Sequence, residues 1–185
     1  VDAVRLAVRE EIQKGATQVK VMCSGGVASP NDPIHFLGYS LDELRAMVEE
    51  ARNAGTYVMG HAYTSAAIRR AVECGVRTIE HGNLADVEAA KVMADHGAYA
   101  VPTLVTYEAL FSEGAALGFP PEAVAKIDAV RGPGMRAIET LAKAGVKMGY
   151  GSDLLGASQR LQTDAFRLRA SVLGLSLIPI LSCRR

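Results

Sequence analysis

Two stretches decide the fold: Gly55-Thr56-Tyr57-Val58-Met59-Gly60-His61-Ala62-Tyr63-Thr64 and Gly75-Val76-Arg77-Thr78-Ile79-Glu80-His81-Gly82-Asn83. In each, a glycine closes an amphipathic segment, a short apolar strand follows, and a histidine ends it. The glycine suits the left-handed position just past a helix, and the apolar run suits a strand buried on both faces. The same unit recurs around Gly15, Gly97 and Gly145. Apolar residues three to four positions apart predict helices such as 41–54 and 86–96. Strands are expected at 17–22, 56–60, 76–80, 98–101 and 146–150. Ser40-Leu41-Asp42-Glu43 has the form of a capping box, which fixes one helix start. Helix and strand therefore alternate, and the fold class is α/β with a parallel sheet.

Composition narrows the function. The chain has 185 residues, 49% of them hydrophobic and 22% charged, which describes a folded globular domain or a large piece of one. Twenty basic residues balance twenty acidic ones, so no net field favours nucleic acid or an anionic membrane. The apolar run 172–181 is too short to span a bilayer. Three scattered cysteines, Cys23, Cys74 and Cys183, lack the spacing of a zinc knuckle or a redox pair. A reducing, cytoplasmic setting is expected.

The polar residues carry more information than the alternation does. Counted from each glycine, similar offsets reach Lys20, His61, His81 and Thr103, and slightly further on Asp153. These are strand C-terminal ends, which converge on one mouth in a (β/α)8 barrel. A core reading, with satisfied histidines and a buried Lys20–Asp153 pair, demands costly burial of charge. Imidazole and carboxylate are ligands for zinc and similar divalent ions. An ammonium beside a cation is repelled, so Lys20 there has to lose its proton. A neutral lysine amine adds carbon dioxide to become a carbamate, a carboxylate on a long arm that can bridge two metals.

These residues resemble the amidohydrolase superfamily, in its imidazolonepropionase-like branch of zinc-dependent Xaa-Pro and Xaa-Arg dipeptidases and carboxypeptidases. The resemblance rests on Lys20-Val21-Met22-Cys23-Ser24-Gly25-Gly26-Val27, Gly60-His61-Ala62-Tyr63-Thr64, Thr78-Ile79-Glu80-His81-Gly82-Asn83, Val101-Pro102-Thr103-Leu104 and Gly149-Tyr150-Gly151-Ser152-Asp153-Leu154-Leu155. It implies a partial (β/α)8 TIM barrel, about strands 4 to 8, over residues 1–174. It also implies two divalent metal ions, zinc by analogy, held by carboxylated Lys20 as the bridge together with His61, His81 and Asp153. A metal-bridging hydroxide would attack the amide bond of a dipeptide or N-acyl amino acid, with Asp153 moving the proton. Tyr63, expected in the strand-to-helix loop, would bind the substrate carboxylate.

Where the chain departs from the family, other expectations follow. No His-x-His pair occurs in it, and a whole barrel needs roughly 250 residues, so a fragment lacking the first strands is expected. Such a fragment would be inactive alone and prone to associate, which allows a homo-oligomer. Residues 175–185 depart from the family and read as a truncated or frame-shifted tail. Two alternatives remain: a cyclic amide or lactone hydrolase with the same metal centre, and a non-catalytic remnant keeping part of it. The partner is a small-molecule substrate in either enzymatic case.

The smaller signals have plainer readings. Ser24-Gly25-Gly26 is not followed directly by a helix, so the loop 23–40 is expected to shape the substrate site, not to cradle phosphate. His35 reads as a solvated loop residue, His96 as a helix-end histidine, and Cys23 as a small buried hydrophobe. Met93, Met135 and Met148 read as core. The Arg and Glu residues of 45–52 read as a solvated helix face.

Overall fold

In the computed structural model, which describes residues 1–29, 31–116 and 118–174, helices and parallel strands alternate except between the last two strands, where two helices follow one another. The order is α1 (Asp2–Gln13), β1 (Val19–Met22), α2 (Leu41–Asn53), β2 (Val58–Thr64), α3 (Ser65–Glu73), β3 (Thr78–Leu84) and α4 (Val87–Asp95). Next come β4 (Tyr99–Val101), α5 (Leu104–Glu113), α6 (Pro121–Lys143), β5 (Lys147–Met148), a 3-10 turn (Gly156–Leu161) and α7 (Asp164–Leu173). The five glycines that end amphipathic segments all have positive φ, Gly75 at 97° for instance, and each turns the chain from helix to strand. Ser40 forms the expected capping box with Glu43.

The strands lie side by side in sequence order, β1-β2-β3-β4-β5, every neighbour parallel. A doubly wound sheet would reverse its order partway, whereas unbroken order is that of a (β/α)8 barrel segment. Val19, Val21, Val58 and Ile79 point toward the helices and meet Leu44, Met47, Ile68, Ala89 and Met93 in the main core. The opposite face is the barrel interior. On β1, Lys20 and Met22 face that interior and are exposed, so Lys20 is not part of a buried ion pair. Within this chain β1 is the first strand of the sheet and pairs with β2 alone.

The helix 45–52 is corrected in one respect. Arg45, Glu49 and Arg52 are exposed, but Glu50 is only 7% exposed. Arg5 and Arg9 of α1 both bond its carboxylate, at 2.8 and 2.6 Å. The two guanidiniums hold that carboxyl down at about 2. This pair ties α1 to α2, an arrangement that charge patterning within one helix cannot reveal.

Tail residues 175–185, Cys183 and most of the apolar run 172–181 lie outside the described residues. Among the described residues no helix is long and apolar enough to cross a membrane.

Helix α6 crosses β3 closely at Gly134. A Cβ there would stand 2.7 Å from the Asn83 amide nitrogen and 3.0 Å from Leu104 Cδ2. Asn83 uses that nitrogen to bond the Val130 carbonyl at 3.1 Å, so an added side chain breaks this link as well. Overpacking costs about 1–3 kcal/mol, more than the few tenths that a β-branched residue gains over glycine in a helix. Gly134→Val should therefore lower the thermal midpoint by several degrees, as read by calorimetry. An unchanged midpoint would show that α6 can move off β3 freely.

Candidate active site

The strand ladder runs further than the apolar pattern does. Strands expected to stop at Gly60 and Glu80 continue through both histidines to Thr64 and Leu84. Backbone pairing ignores side-chain polarity, so a polar residue ends the apolar run without ending the strand. Tyr63 consequently lies on β2 itself, and Ser65 opens α3 at once with Thr64 as its N-cap. The expectation of a loop position for Tyr63 is corrected accordingly.

Alternation places His61 and Tyr63 on the interior face, in line with Met22 and Glu80 across the ladder. His81 directly follows Glu80 and should face the other way. It does not, because its backbone adopts φ 76° and that of Gly82 φ 65°. The ladder is displaced just there, between Ala62 and Thr64. This bulge brings the His81 ring to 4.6 Å from the His61 ring and stacks it on Tyr63 at 5.4 Å.

Lys20, His61, Tyr63, His81 and Asp153 all line one cavity of about 630 Å³. His61 and His81 are each 6% exposed, and burial lowers both pKa values, that of His81 strongly. Both rings are therefore neutral near pH 7. His61 Nε2 lies 3.1 Å from the Gly25 carbonyl, which can only accept, so this nitrogen carries the proton and Nδ1 keeps its lone pair. His81 Nδ1 is engaged by Thr103 Oγ1 at 2.8 Å, which leaves Nε2. Each imidazole thus has one nitrogen held by protein and one free, which fits a metal-ligating histidine.

Asp153 follows β5 in a loop with φ 54° of its own, and Thr106 Oγ1 donates to its carbonyl at 3.0 Å. Arg169 steadies the strand before it, donating to the Gly149 carbonyl at 2.8 Å. Partial loss of hydration raises the Asp153 carboxyl, opposed by Lys20 and His61. Lys20 and Asp153 are exposed at the rim, while the histidines are buried. Among the described residues no three His, Cys, Asp or Glu side chains form a closed metal-binding group. Lys20 is of another residue type, and its carbamate would add an oxygen to the pair of histidines.

The remaining residues behave mostly as expected. His35 and His96 are exposed and away from this cavity, and His96 Nδ1 donates to the Val92 carbonyl. Burial pushes the Cys23 thiol up to about 12, so it is inert. Met93 is fully buried, with Met135 and Met148 packed at the edges of the core. The sequence reading missed Tyr107, which is buried beside Tyr63 and bonded to it. Its spacing of four from Thr103 on one helical face was the available signal. Also missed was Glu80, buried opposite His61 in the ladder with its carboxyl raised by burial.

Comparison with known proteins agrees with this geometry. The sequence profile described as "Amidohydrolase family" matches residues 1–174. An ochratoxinase from Aspergillus niger is 36% identical over 153 residues, covering 83% of this chain and 32% of that protein. A crystal structure of a prolidase complexed with N-methylphosphonate-L-proline superposes with a TM-score of 0.91 at 65% identity, covering 92% of this chain and 42% of that one. A Xaa-Pro dipeptidase with bound methionine gives 0.81 at 27% identity, covering 91% and 42%. The chain thus spans about a third of the length of the curated relatives it matches.

The loop after β1 forms one wall of the cavity, through Gly26, Val27, Ala28, Ser29 and Asp32. It folds back on itself: Gly25 sits so tightly on Pro33 that a Cβ would meet the Pro33 carbonyl. Lys126 of α6 then fastens it, with Nζ 2.6 Å from the Ser29 carbonyl and 3.4 Å from that of Asp32. An ammonium held by carbonyls is a charge-assisted clamp. Lys126→Met should speed proteolytic cutting of the 24–38 loop by about tenfold while the thermal midpoint shifts by only a few degrees. Unchanged cutting would mean that the loop holds its shape without the clamp.

Proposed function

The chain belongs to the amidohydrolase family, and we propose that its residues 1–174 are the C-terminal part of the barrel of a binuclear metal-dependent hydrolase of amide bonds. Its substrates are dipeptides or N-acyl amino acids with a free carboxylate. The observation that carries this reading is the gathering of Lys20, His61, His81 and Asp153 around one cavity that Tyr63 also lines. Similarity to a prolidase and to a Xaa-Pro dipeptidase supports the substrate class.

The neutral histidines, each with one free ring nitrogen, fit divalent metal, and zinc suits imidazole with carboxylate. His61, His81, Asp153 and a carboxylated Lys20 would hold it. Two divalent ions, when bound, polarise the scissile carbonyl and make water a nucleophile at neutral pH. Asp153 accepts the proton of the attacking water and returns it to the departing amine. A carboxylate within reach of both the water and the departing nitrogen can take up the proton in one step and give it back in the next. Tyr63 Oη donates to the substrate carboxylate and so sets which amide bond lies between the histidines and Asp153. The free, buried thiols of Cys23 and Cys74 support a reducing, cytoplasmic setting.

The test of the bridge is Lys20→Ala in the full-length protein. Metal content should fall and the rate should drop by at least about a hundredfold, since even supporting groups around metal ligands are worth 10–100-fold. Short carboxylic acids should restore part of the rate by standing in for the carbamate. Full metal content and full rate would make Lys20 an ordinary surface lysine.

For Tyr63→Phe the expected loss is selective. A hydrogen bond to a charged group is worth about 1.5–3 kcal/mol, and about 1.4 kcal/mol is a factor of ten. Hence kcat/KM should fall about tenfold to a hundredfold for free-carboxylate substrates and far less for amidated ones. Equal losses would assign Tyr63 to the fold alone.

A further inference from the structure

We propose that Tyr107 is a positioning residue which fixes Tyr63 as a hydrogen-bond donor into the cavity, at the end of a one-way chain of hydroxyls that starts at His81. The inference rests on the reading of His81 as a metal ligand and of Tyr63 as the carboxylate donor.

The parts are adjacent and buried. Tyr107 is 1% exposed, and its Oη lies 3.0 Å from Tyr63 Oη. Its ring stands edge-on to those of Tyr63 and His81, at 6.1 and 6.2 Å. Thr103, at the start of the same helix, bonds His81 Nδ1 at 2.8 Å, and its hydroxyl also neighbours the Tyr107 phenol.

A hydroxyl has one proton to give, so such a chain runs in one direction or the other. If His81 Nδ1 accepts, its Nε2 carries the proton and cannot ligate, and Tyr63 must spend its own proton inward. The cavity then meets only phenol lone pairs, which repel a carboxylate. If His81 Nδ1 donates to Thr103, the Thr103 hydroxyl is free to donate to Tyr107, and Tyr107 donates to Tyr63. Tyr63 Oη then accepts from Tyr107 and has its own proton left for the cavity. One chain therefore fixes the free nitrogen of a metal ligand and the donor that holds the substrate. Hydrogen bonds in such a series also polarise one another, which strengthens the terminal donor.

A residue that only filled space would be replaced by phenylalanine without selective effect. The test compares Tyr63→Phe, Tyr107→Phe and the double variant in the metal-loaded full-length protein, on matched free-carboxylate and amidated substrates. Tyr107→Phe should raise KM for the free-carboxylate substrate about three- to tenfold, with the loss falling on KM and not on kcat. The amidated substrate should show little of this change. Because Tyr107 acts through Tyr63, the double variant should be no more selective in its loss than Tyr63→Phe. Equal effects on both substrates, a silent Tyr107→Phe, or selective losses that multiply in the double variant would overturn the inference. If Tyr63→Phe itself shows no selectivity, the carboxylate reading fails and the inference fails with it. Should Tyr107→Phe not fold, Thr103→Val breaks the same chain. It should reproduce the selective KM rise and weaken metal binding about tenfold in a metal titration, and Thr103→Ser should restore both. Unchanged affinity and selectivity in Thr103→Val would again overturn the inference.

Discussion

The site depends on one backbone torsion, the φ of 76° at His81. A residue with a Cβ pays about 1–2 kcal/mol to enter the left-handed region. In exchange, two consecutive residues, Glu80 and His81, both serve the interior face, which a regular strand forbids. Without that turn the His81 ring would point into the helix layer, where Ile79 and Ala89 pack. The contact with His61, the stack on Tyr63 and the bond to Thr103 all follow from it. Gly82 takes part of the distortion at no steric cost, and the displaced ladder near Tyr63 absorbs the rest.

Much of this was legible in the sequence, and the reasons for the remainder are physical. Glycine spacing gave the alternating units because a left-handed helix end and a buried strand both leave compositional marks. His61 and Tyr63 follow from alternation once the strand is known, two residues apart on one face. The placement of His81 beside them does not, since nothing in a residue name reports a positive φ. Its counting offset from Gly75 found the right residue through an irregularity that the counting could not see. The strand limits at Gly60 and Glu80 fell short because polarity was used as a proxy for pairing. Glu50 was misjudged because its partners, Arg5 and Arg9, lie more than forty residues away. Tyr107 was missed because a tyrosine in an apolar helix reads as core, and it is core as well as part of the hydroxyl chain.

Electrostatics divides the cavity into a buried floor and an exposed rim. On the floor, burial strips charge from His61 and His81. Neutral imidazoles can offer lone pairs, which charged ones cannot. Lys20 and Asp153 stand at the rim, where water supports charge and opposite signs attract across the opening. In the proposed reaction the two groups that would gain or lose a proton or a carboxyl group are therefore the accessible ones, and the groups that would need a fixed tautomer are the shielded ones.

The same division separates chemistry from shape. The strands supply Lys20, His61, Tyr63 and His81, whose backbone positions are set by the ladder. The walls come from the loop after β1, from α5 and from the 3-10 turn, through Val27, Ala109, Leu110, Leu155 and Ala157. These are apolar, so they offer a substrate side chain burial without direction, while the floor offers direction without much area. A change in the loop or in α5 can thus reshape the pocket without moving the reacting groups. The exception is Thr103 and Tyr107, because α5 begins with the hydroxyl that holds His81 and carries the one that holds Tyr63. Helix α5 is accordingly the one wall whose displacement would disturb binding and chemistry together.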